Sequence, residues 1–174
     1  NRQPSSGVVA GMMTPSAPPS DAARFAALFE DHHPVVLAYA ARRSATEADA
    51  EDIAAETFAI AWRKIAVVPA EPLPWLYGTA RRVLANHRRA GTRYARLPWH
   101  IGDDTPSPML AGEDRDTPAL TALGRLPAPD QELLRLVAWE ELGNIAIAEV
   151  LGISVNAVAI RLHRARRRFA EALQ

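Results

Sequence analysis

The chain has 174 residues, which is enough for one ordinary domain or two small ones, and its 20 basic residues balance its 20 acidic residues. It contains no cysteine, so disulfides and thiolate metal sites are excluded. No apolar run approaches the roughly 20 residues of a membrane span, and no signal-peptide pattern is present. We therefore expect a cytoplasmic protein that does not insert into a membrane.

Charge is segregated along the chain. Residues 81–96 contain six arginines and no acid, residues 161–168 contain five arginines and no acid, and residues 103–116 contain five acids and one arginine. The distribution of charge bears on nucleic-acid binding more than its sum does. A net charge of zero therefore does not exclude DNA as a partner.

The N-terminal half shows helical periodicity after an irregular start. Residues 1–20 are rich in Pro, Ser, Ala and Gly and predict a disordered segment. Ser20 is a good N-cap for a first helix, and Pro34 is expected to end that helix or to open another. Thr46, three residues before Asp49, predicts the cap of the next helix.

The remaining pattern is also helical. A loop at residues 67–74 holds three prolines and precedes a helix predicted from Trp75 to about Arg89. Residues 98–117 combine proline, glycine and acid without a period, and predict a flexible acidic linker between domains. Helical periodicity resumes at 118, where Asp130 is expected to cap a further helix. The sequence therefore predicts an all-α fold of two small helical domains, at residues 21–97 and 118–174.

The C-terminal stretch predicts a helix, a tight turn and a second helix. Gly152 suits the positive φ of a helix C-cap, and Ser154 can cap the helix that follows. One face of the second helix is apolar, formed by Val155, Val158, Leu162, Ala165 and Phe169, and the other is polar and basic. This arrangement is typical of a helix that enters the DNA major groove. The alternative is an ordinary amphipathic helix with solvated arginines.

An acidic cluster lies at the head of the helix that follows Thr46. Its members are Glu47, Asp49, Glu51, Asp52 and Glu56. Acids in a first helical turn complement the helix dipole, which is the simplest interpretation. Asp52 and Glu56, however, are one turn apart and repel each other mildly. A carboxylate pair kept despite repulsion is compatible with a basic partner surface.

A basic cluster interleaved with aromatic residues occupies the helix predicted after the proline-rich loop. Its members are Trp75, Tyr77, Arg81, Arg82, Asn86, His87, Arg88, Arg89, Arg93 and Tyr94. Arginines hold phosphates and flat rings stack on exposed bases, so this composition suits single-stranded or melted DNA. The alternative is a core tryptophan beside a solvated basic face, and for Trp75 itself the core is the favoured position.

The sequence contains no clear catalytic motif. The five histidines are scattered, and the adjacent pair His32 and His33 points to different helix faces. The chain has no Gly-rich phosphate loop, nucleophile motif or zinc spacing. We therefore expect no catalytic residue, no metal site and no cofactor, and a nucleic-acid-processing enzyme is the least favoured class.

Three blocks together resemble the extracytoplasmic-function (ECF) group of bacterial sigma factors, in the sigma-70 family. The first is ADAEDIAAETFAIAW at residues 48–62, and the second is PWLYGTARRVLANHRR at residues 74–89. The third joins Leu126-Pro127 and Leu133-Leu134 to residues 148–168. Their order and spacing make the resemblance specific.

The resemblance implies a promoter-specificity subunit that joins RNA polymerase core, through its β′ clamp and β flap, and directs it to promoter DNA. Region two would bind the clamp through Asp49, Glu51, Asp52 and Glu56. It would melt and read the −10 element with Trp75, Tyr77, Arg81, Arg82, Asn86, Arg88, Arg89 and Arg93. Region four would read the −35 element with Ser154, Asn156, Ala157, Ile160, Arg161, His163, Arg164 and Arg167. Family members are commonly held by an anti-sigma factor, which is a further expected partner.

This sequence departs from the family pattern at three places. Arg82 stands where the family often has Asn, which puts the usual −10 base contact in doubt. Ala146 replaces the usual Glu, and residues 157–160 read Ala-Val-Ala-Ile instead of Thr-Val-Lys-Ser. An unusual or weaker −35 preference follows. The alternative function is a stand-alone helix-turn-helix transcriptional regulator, which would have no need of an acidic clamp-binding helix.

Overall fold

The computed structural model describes residues 20–94 and 117–174, without the side chains of residues 90–94. The predicted disordered segment and acidic linker therefore lie outside the described residues, apart from their last positions. The described part contains seven α-helices and one short 3-10 turn, Ile65–Val67, and no strand, which confirms the all-α prediction. The helices are α1 (Asp21–Ala41), α2 (Glu47–Arg63), α3 (Pro72–Tyr94), α4 (Pro118–Gly124), α5 (Ala128–Ala138), α6 (Asn144–Leu151) and α7 (Val155–Ala172).

The first helix begins where the sequence predicts but does not break at proline. Ser20 caps α1 by accepting a hydrogen bond from the Ala23 N–H at 3.2 Å. Pro34 lies inside α1, so the prediction that it ends one helix or opens another was wrong. Proline costs one backbone hydrogen bond, but Val36 and Tyr39 on the following turns are fully buried. Burial of these following turns keeps the helix continuous.

Helix α2 begins where the sequence predicts, whereas α3 begins earlier and ends later than the helix predicted from Trp75 to about Arg89. Thr46 accepts a hydrogen bond from the Asp49 N–H at 3.1 Å, as the capping pattern predicts. The α-helix ends at Arg63, and Ile65 is buried in the 3-10 turn that follows. Helix α3 starts at Pro72, earlier than expected, because proline fits the first turn of a helix.

In the C-terminal half one predicted cap is wrong and two are confirmed. Helix α5 begins after Pro127, so Asp130 lies in its first turn; this carboxylate is buried and pairs with Arg168. Gly152 adopts a φ of 65° at the end of α6, and Ser154 accepts a hydrogen bond from the Ala157 N–H at 3.2 Å. The chain direction changes by 101° between α6 and α7. This is the angle of a helix-turn-helix.

The two halves share one apolar core. Helices α1, α2 and α3 pack against one another, and α3 packs against α6 of the C-terminal half. Leu76 and Val83 of α3 belong to the same buried cluster as Leu136 and Ile147. At Gly78 the helices approach so closely that an added Cβ would lie 3.6 Å from the Val150 Cα atom. The described parts of the two predicted domains are thus joined by direct packing.

One cluster of aromatic side chains remains partly exposed on α1 and α2. Phe25 packs edge-on against Trp62, with 5.1 Å between ring centroids, and Phe29 packs against Phe58 at 4.9 Å. About 48% of Trp62 is exposed.

No single helix in the described ranges has the length and apolarity to cross a membrane, and α6 and α7 pass that test only together, as a bent pair.

Candidate nucleic-acid interface

The predicted recognition helix exposes its polar side. Val158, Leu162 and Ala165 of α7 are buried, whereas the residues predicted to read DNA point outward or lie at the boundary. Exposed are Ser154, Asn156, Ile160, Arg161, His163, Arg164 and Arg167, and Ala157 is half-buried. Val155, from the predicted apolar face, is also exposed at 44%. The helix therefore presents a mainly polar strip on a buried apolar base.

The outward arginines of α7 differ in whether they form an ion pair within the described residues. Arg167 pairs with Glu171 on its own helix at 3.4 Å, and both side chains are more than half exposed. Arg161 and Arg164 form no ion pair with any residue in the described ranges. They are therefore the more available cations on this surface.

Helix α3 carries the second basic strip. Arg81, Arg82, Asn86, Arg88 and Arg89 are exposed along it. The Arg82 guanidinium donates to the Thr79 hydroxyl at 3.3 Å, and Arg89 donates to the Ala85 carbonyl at 3.0 Å. These bonds hold the two side chains along the helix. The side chain of Arg93 lies outside the described part.

The two aromatic residues assigned to this strip lie toward the core. Tyr77 is 4% exposed, and its ring lies 4.9 Å from that of Tyr39. A ring held in this way has no free face for a DNA base, so the prediction of Tyr77 as a base contact does not agree with the structure. Trp75 is half-buried against the apolar core, as the core interpretation expects. The described part of the basic strip therefore presents guanidinium groups outward, while its two assigned aromatic rings lie toward the core.

Both basic strips line the same cleft. The cleft has a volume of about 1080 Å³, with α3 forming one wall and α5 and α7 the other. Arg81 and Arg82 lie on the first wall, and Arg161 and Arg164 lie on the second. The fold thus brings together two arginine groups that the sequence separates by about 80 residues.

The acidic cluster on α2 lies at the surface, where Glu47, Glu51, Asp52 and Glu56 are exposed and Asp49 is half-buried. Asp49, Asp52 and Glu56 are spaced by three and four residues and share one face, and Glu51 lies beside them. Glu56 contacts the His87 ring at 3.3 Å, which links α2 to α3. Asp52 forms no ion pair within the described ranges. Glu56 therefore helps to hold α2 against α3, whereas Asp52 is available to contact a partner.

A third charged group, which the sequence analysis missed, joins the two halves. The side chain of Arg43 is 2% exposed and contacts Glu132 at 3.0 Å and Glu140 at 3.0 Å. Arg42 contacts Glu140 at 2.8 Å, and the Tyr39 hydroxyl donates to Glu132 at 3.1 Å. The guanidinium of Arg43 also lies 3.7 Å from the centre of the Tyr39 ring.

Burial and the nearby carboxylates shift the pKa of Arg43 in opposite directions. Burial alone lowers the pKa of Arg43, but the Glu132 and Glu140 carboxylates outweigh it and leave the pKa raised. Burial, and then the charge of Glu132, raise the pKa of the Tyr39 hydroxyl. The partners lie about 90 residues apart, so no local pattern could have predicted them. The only sequence indication is a pair of arginines at the end of an apolar helix.

No metal centre is formed by the described side chains, among which no three His, Asp or Glu residues form a group suited to a metal. The charged features of the described part are instead an acidic helix face and two basic strips at the surface, and an ion-pair network buried between the two halves. This combination fits a protein that binds nucleic acid and another protein.

The family comparisons match both halves of the chain. Sigma-70 region 2 matches residues 28–94, and Sigma-70, region 4 matches residues 118–169. The ECF RNA polymerase sigma factor SigL of Mycobacterium tuberculosis is 30% identical over 166 residues, covering 89% of this chain and 92% of the relative. CnrH of Cupriavidus metallidurans is 29% identical, covering 81% and 82% of the two chains.

Solved structures agree in fold. CnrH in complex with the cytosolic domain of CnrY has a TM-score of 0.58 and 26% identity, and covers 86% of each chain. RpoE in complex with the anti-sigma factor NepR from Bartonella quintana has a TM-score of 0.64 and 23% identity, covering 86% of this chain and 96% of that one.

The chain belongs to the ECF group of the sigma-70 family. Members of this family bind RNA polymerase core and promoter DNA and direct the initiation of transcription. A stand-alone regulator is not favoured, because the similarity extends across both sigma regions.

Proposed function

We propose that region two of this sigma factor docks on the β′ clamp of the polymerase through the acidic face of α2. Asp49, Glu51, Asp52 and Glu56 are the contact residues. The observation that supports the proposal is the exposure of this acidic face while the basic strips face the cleft. A regulator that binds only DNA has no use for a second, acidic surface.

Contact with the −10 element is assigned to the α3 strip. Arg81, Arg82, Asn86, Arg88 and Arg89 would hold the backbone of the melted strand, with Arg93 continuing the series. Trp75 would support the strip from the core side, and Tyr77 is left out because its ring is buried. With Arg82 in place of the family's Asn, this region contributes phosphate contacts more than base contacts.

Contact with the −35 element is assigned to α7. Its first turns carry Ser154, Asn156, Ala157 and Ile160, where a recognition helix approaches base edges. Arg161, His163, Arg164 and Arg167 follow. Because alanine and isoleucine cannot donate hydrogen bonds, sequence recognition concentrates on Asn156 and the nearest arginines.

Several further assignments belong to the same proposal. The domains are region two at residues 21–97, the linker at 98–117 and region four at 118–174, with region four also contacting the β flap. The protein acts in the cytoplasm and has no catalytic activity of its own. An anti-sigma factor is a proposed partner, because the similar CnrH is solved with the cytosolic domain of CnrY.

Run-off transcription with purified polymerase core tests the proposal. We expect Asp52→Arg to weaken core binding and to lower the run-off product, because the reversal places a cation against a basic surface, at a cost of up to several kcal/mol. Glu30→Arg is the matched control, since Glu30 is an exposed acid on α1 outside the cluster. Failure of the unmodified chain to bind core at low salt would overturn the sigma assignment. Equal binding by both variants would overturn the role of Asp52.

The DNA assignment is tested on a promoter library randomised across the −35 element. Arg161→Ala or Arg164→Ala is expected to cost about 1–3 kcal/mol and to relax preference at one position if the side chain contacts guanine. If it holds phosphate, output falls on all sequences alike and the salt dependence flattens. Arg166→Ala is the control, because Arg166 is exposed on α7 but does not line the cleft. No change in either test variant would show that α7 does not read DNA.

A further inference from the structure

The cleft between the two halves concentrates positive charge. Nine arginines line it, against two acids, Asp130 and Glu132. Both acids are already engaged, since Asp130 pairs with Arg168 and Glu132 pairs with Arg43. Among the described residues that line the cleft, even without Arg88 and Arg89, arginines therefore outnumber carboxylates.

Three of the lining arginines form neither an ion pair nor a side-chain hydrogen bond with the residues that the structure describes. Arg81 lies on the α3 wall, and Arg161 and Arg164 lie on the α7 wall. A fourth, Arg135, has its Nε atom buried without a hydrogen-bond acceptor. Burial, and then the charge of Arg43, lower the pKa of Arg135. An anion placed between the walls would relieve this repulsion and provide the missing acceptors.

The composition of the lining indicates which kind of anion the cleft would bind. Guanidinium groups bind phosphate through paired N–H donors, and several of them can surround one phosphate chain. The only aromatic residue in the lining is Tyr39, which is fully buried, so the described cleft has no platform on which bases could stack. A volume of about 1080 Å³ is close to the upper size of a small-molecule site.

We propose that this cleft binds a compact anion with several linked phosphates, held between Arg81 of region two and Arg161 and Arg164 of region four. Inorganic polyphosphate and nucleoside polyphosphates share this chemistry. Because the ligand contacts both walls, its binding favours the arrangement in which the two regions are packed together.

The ligand also competes with promoter DNA. This consequence rests on the proposed function, because the same arginines are assigned there to the −10 and −35 elements. Binding of the anion itself does not depend on that assignment. It is therefore measured on the full chain alone, without core or DNA, and its failure would leave the run-off result untouched.

Calorimetric titration with sodium tripolyphosphate tests the site. We expect saturable binding with one ligand per chain, and about 3- to 10-fold weaker binding for each of Arg81→Gln and Arg164→Gln. The matched controls are Arg63→Gln on α2 and Arg166→Gln on α7, which remove exposed arginines outside the cleft. Sodium sulfate at equal ionic strength controls for general screening. All four positions are exposed, and circular dichroism checks that each variant is folded.

Three results would overturn the proposal. Binding that does not saturate, or that weakens equally in the control variants, would mean general attraction to a basic surface. If a substitution on one wall weakens binding and a substitution on the other wall does not, the ligand does not bridge the cleft. A glutamate peptide of equal charge that binds as tightly would remove the preference for phosphate.

A second arm identifies the source of the phosphates. Adenosine and guanosine triphosphate are titrated without a divalent cation under the same conditions. Affinity equal to that of tripolyphosphate supports recognition of phosphates alone, as expected for inorganic polyphosphate. Affinity at least several-fold tighter for one nucleotide supports a nucleoside polyphosphate as the ligand.

Discussion

Arg43 is a buried cation at the junction of the two sigma regions. Its guanidinium contacts Glu132 and Glu140 of region four and the carbonyl of Tyr39 in the last turns of α1, which ends two residues before Arg43. Removing one member of a buried ion pair leaves the remaining charge without compensation in a poorly hydrated site. The stability of the junction therefore depends on this side chain far more than on any exposed ion pair.

Replacement of Arg43 by methionine is expected to lower the free energy of unfolding by about 3 kcal/mol. This is the lower end of the range for a broken buried pair, because Arg42 still contacts Glu140. Urea unfolding followed by circular dichroism measures the change. Arg167→Met removes an exposed ion pair and should cost less than about 1 kcal/mol. Equal losses in both variants would contradict the role given to the network.

The tyrosines at the junction predict sensitivity to alkaline pH. Burial and nearby carboxylates raise the pKa of Tyr39 and of Tyr77 in the folded chain. An unfolded tyrosine loses its proton near pH 10, so above that pH the unfolded state binds fewer protons and stability falls. The slope should approach about 1.4 kcal/mol per pH unit for Tyr39, and Tyr77 should act in the same direction. Urea unfolding of Tyr39→Phe between about pH 9 and 11 should show a smaller slope, and an unchanged slope would contradict this account.

At the scale of whole elements, α3 and α6 approach each other closely at Gly78. An added Cβ there meets Val150 at ordinary van der Waals distance, whereas a longer side chain would enter the backbone of α6. Glycine inside a helix also costs about 0.5–1 kcal/mol relative to alanine. The size of the side chain at this one position therefore sets the spacing of the two regions.

Gly78→Ala should leave the thermal midpoint unchanged or raise it slightly, while Gly78→Leu should lower the free energy of unfolding by about 1–3 kcal/mol through overpacking. Differential scanning calorimetry compares the two variants. A Cβ added at Gly124, at the end of α4, would meet no atom of the described residues within 4 Å, so Gly124→Leu serves as a matched control for size. A Gly78→Leu protein as stable as Gly124→Leu would show that α3 and α6 can separate without cost.

Local features of these elements were predictable, and the relation between them was not. The caps at Ser20, Thr46 and Ser154 follow from side chains that bond to backbone within three residues. Asp130 looked equally suitable, but its carboxylate is used by Arg168, which lies 38 residues away. Tyr77 was assigned to DNA because it lies among arginines, although packing against Tyr39 buries it. The sequence shows composition along a helix, whereas tertiary packing decides which face is covered.

At the scale of the whole molecule, the described helices hold the two basic strips together in a way that the proposed promoter contacts do not allow. The −10 and −35 elements lie about 25 base pairs apart, which is roughly 85 Å along the duplex at about 3.4 Å per base pair. The arginines assigned to these elements line one cleft of about 1080 Å³. Both elements can be bound at once only if region four leaves region two.

Binding to polymerase core is therefore expected to separate the two regions. The chain has no cysteine, so Ala59→Cys on α2 and Ala170→Cys on α7 can carry two spin labels at exposed positions. Pulsed dipolar spectroscopy should give a short distance for the free chain and a distance longer by tens of ångströms in the complex with core. A single distance shared by both samples would contradict the opening.

Because α3 and α6 meet through apolar side chains, the equilibrium between the closed and open arrangements of the two regions should depend on temperature. Opening hydrates Leu76, Val83 and Ile147, and hydration of apolar surface raises the heat capacity. The attraction between such surfaces weakens on cooling. We therefore expect the fraction of chains in the open arrangement to increase toward low temperature, where more of this subunit would be available to polymerase.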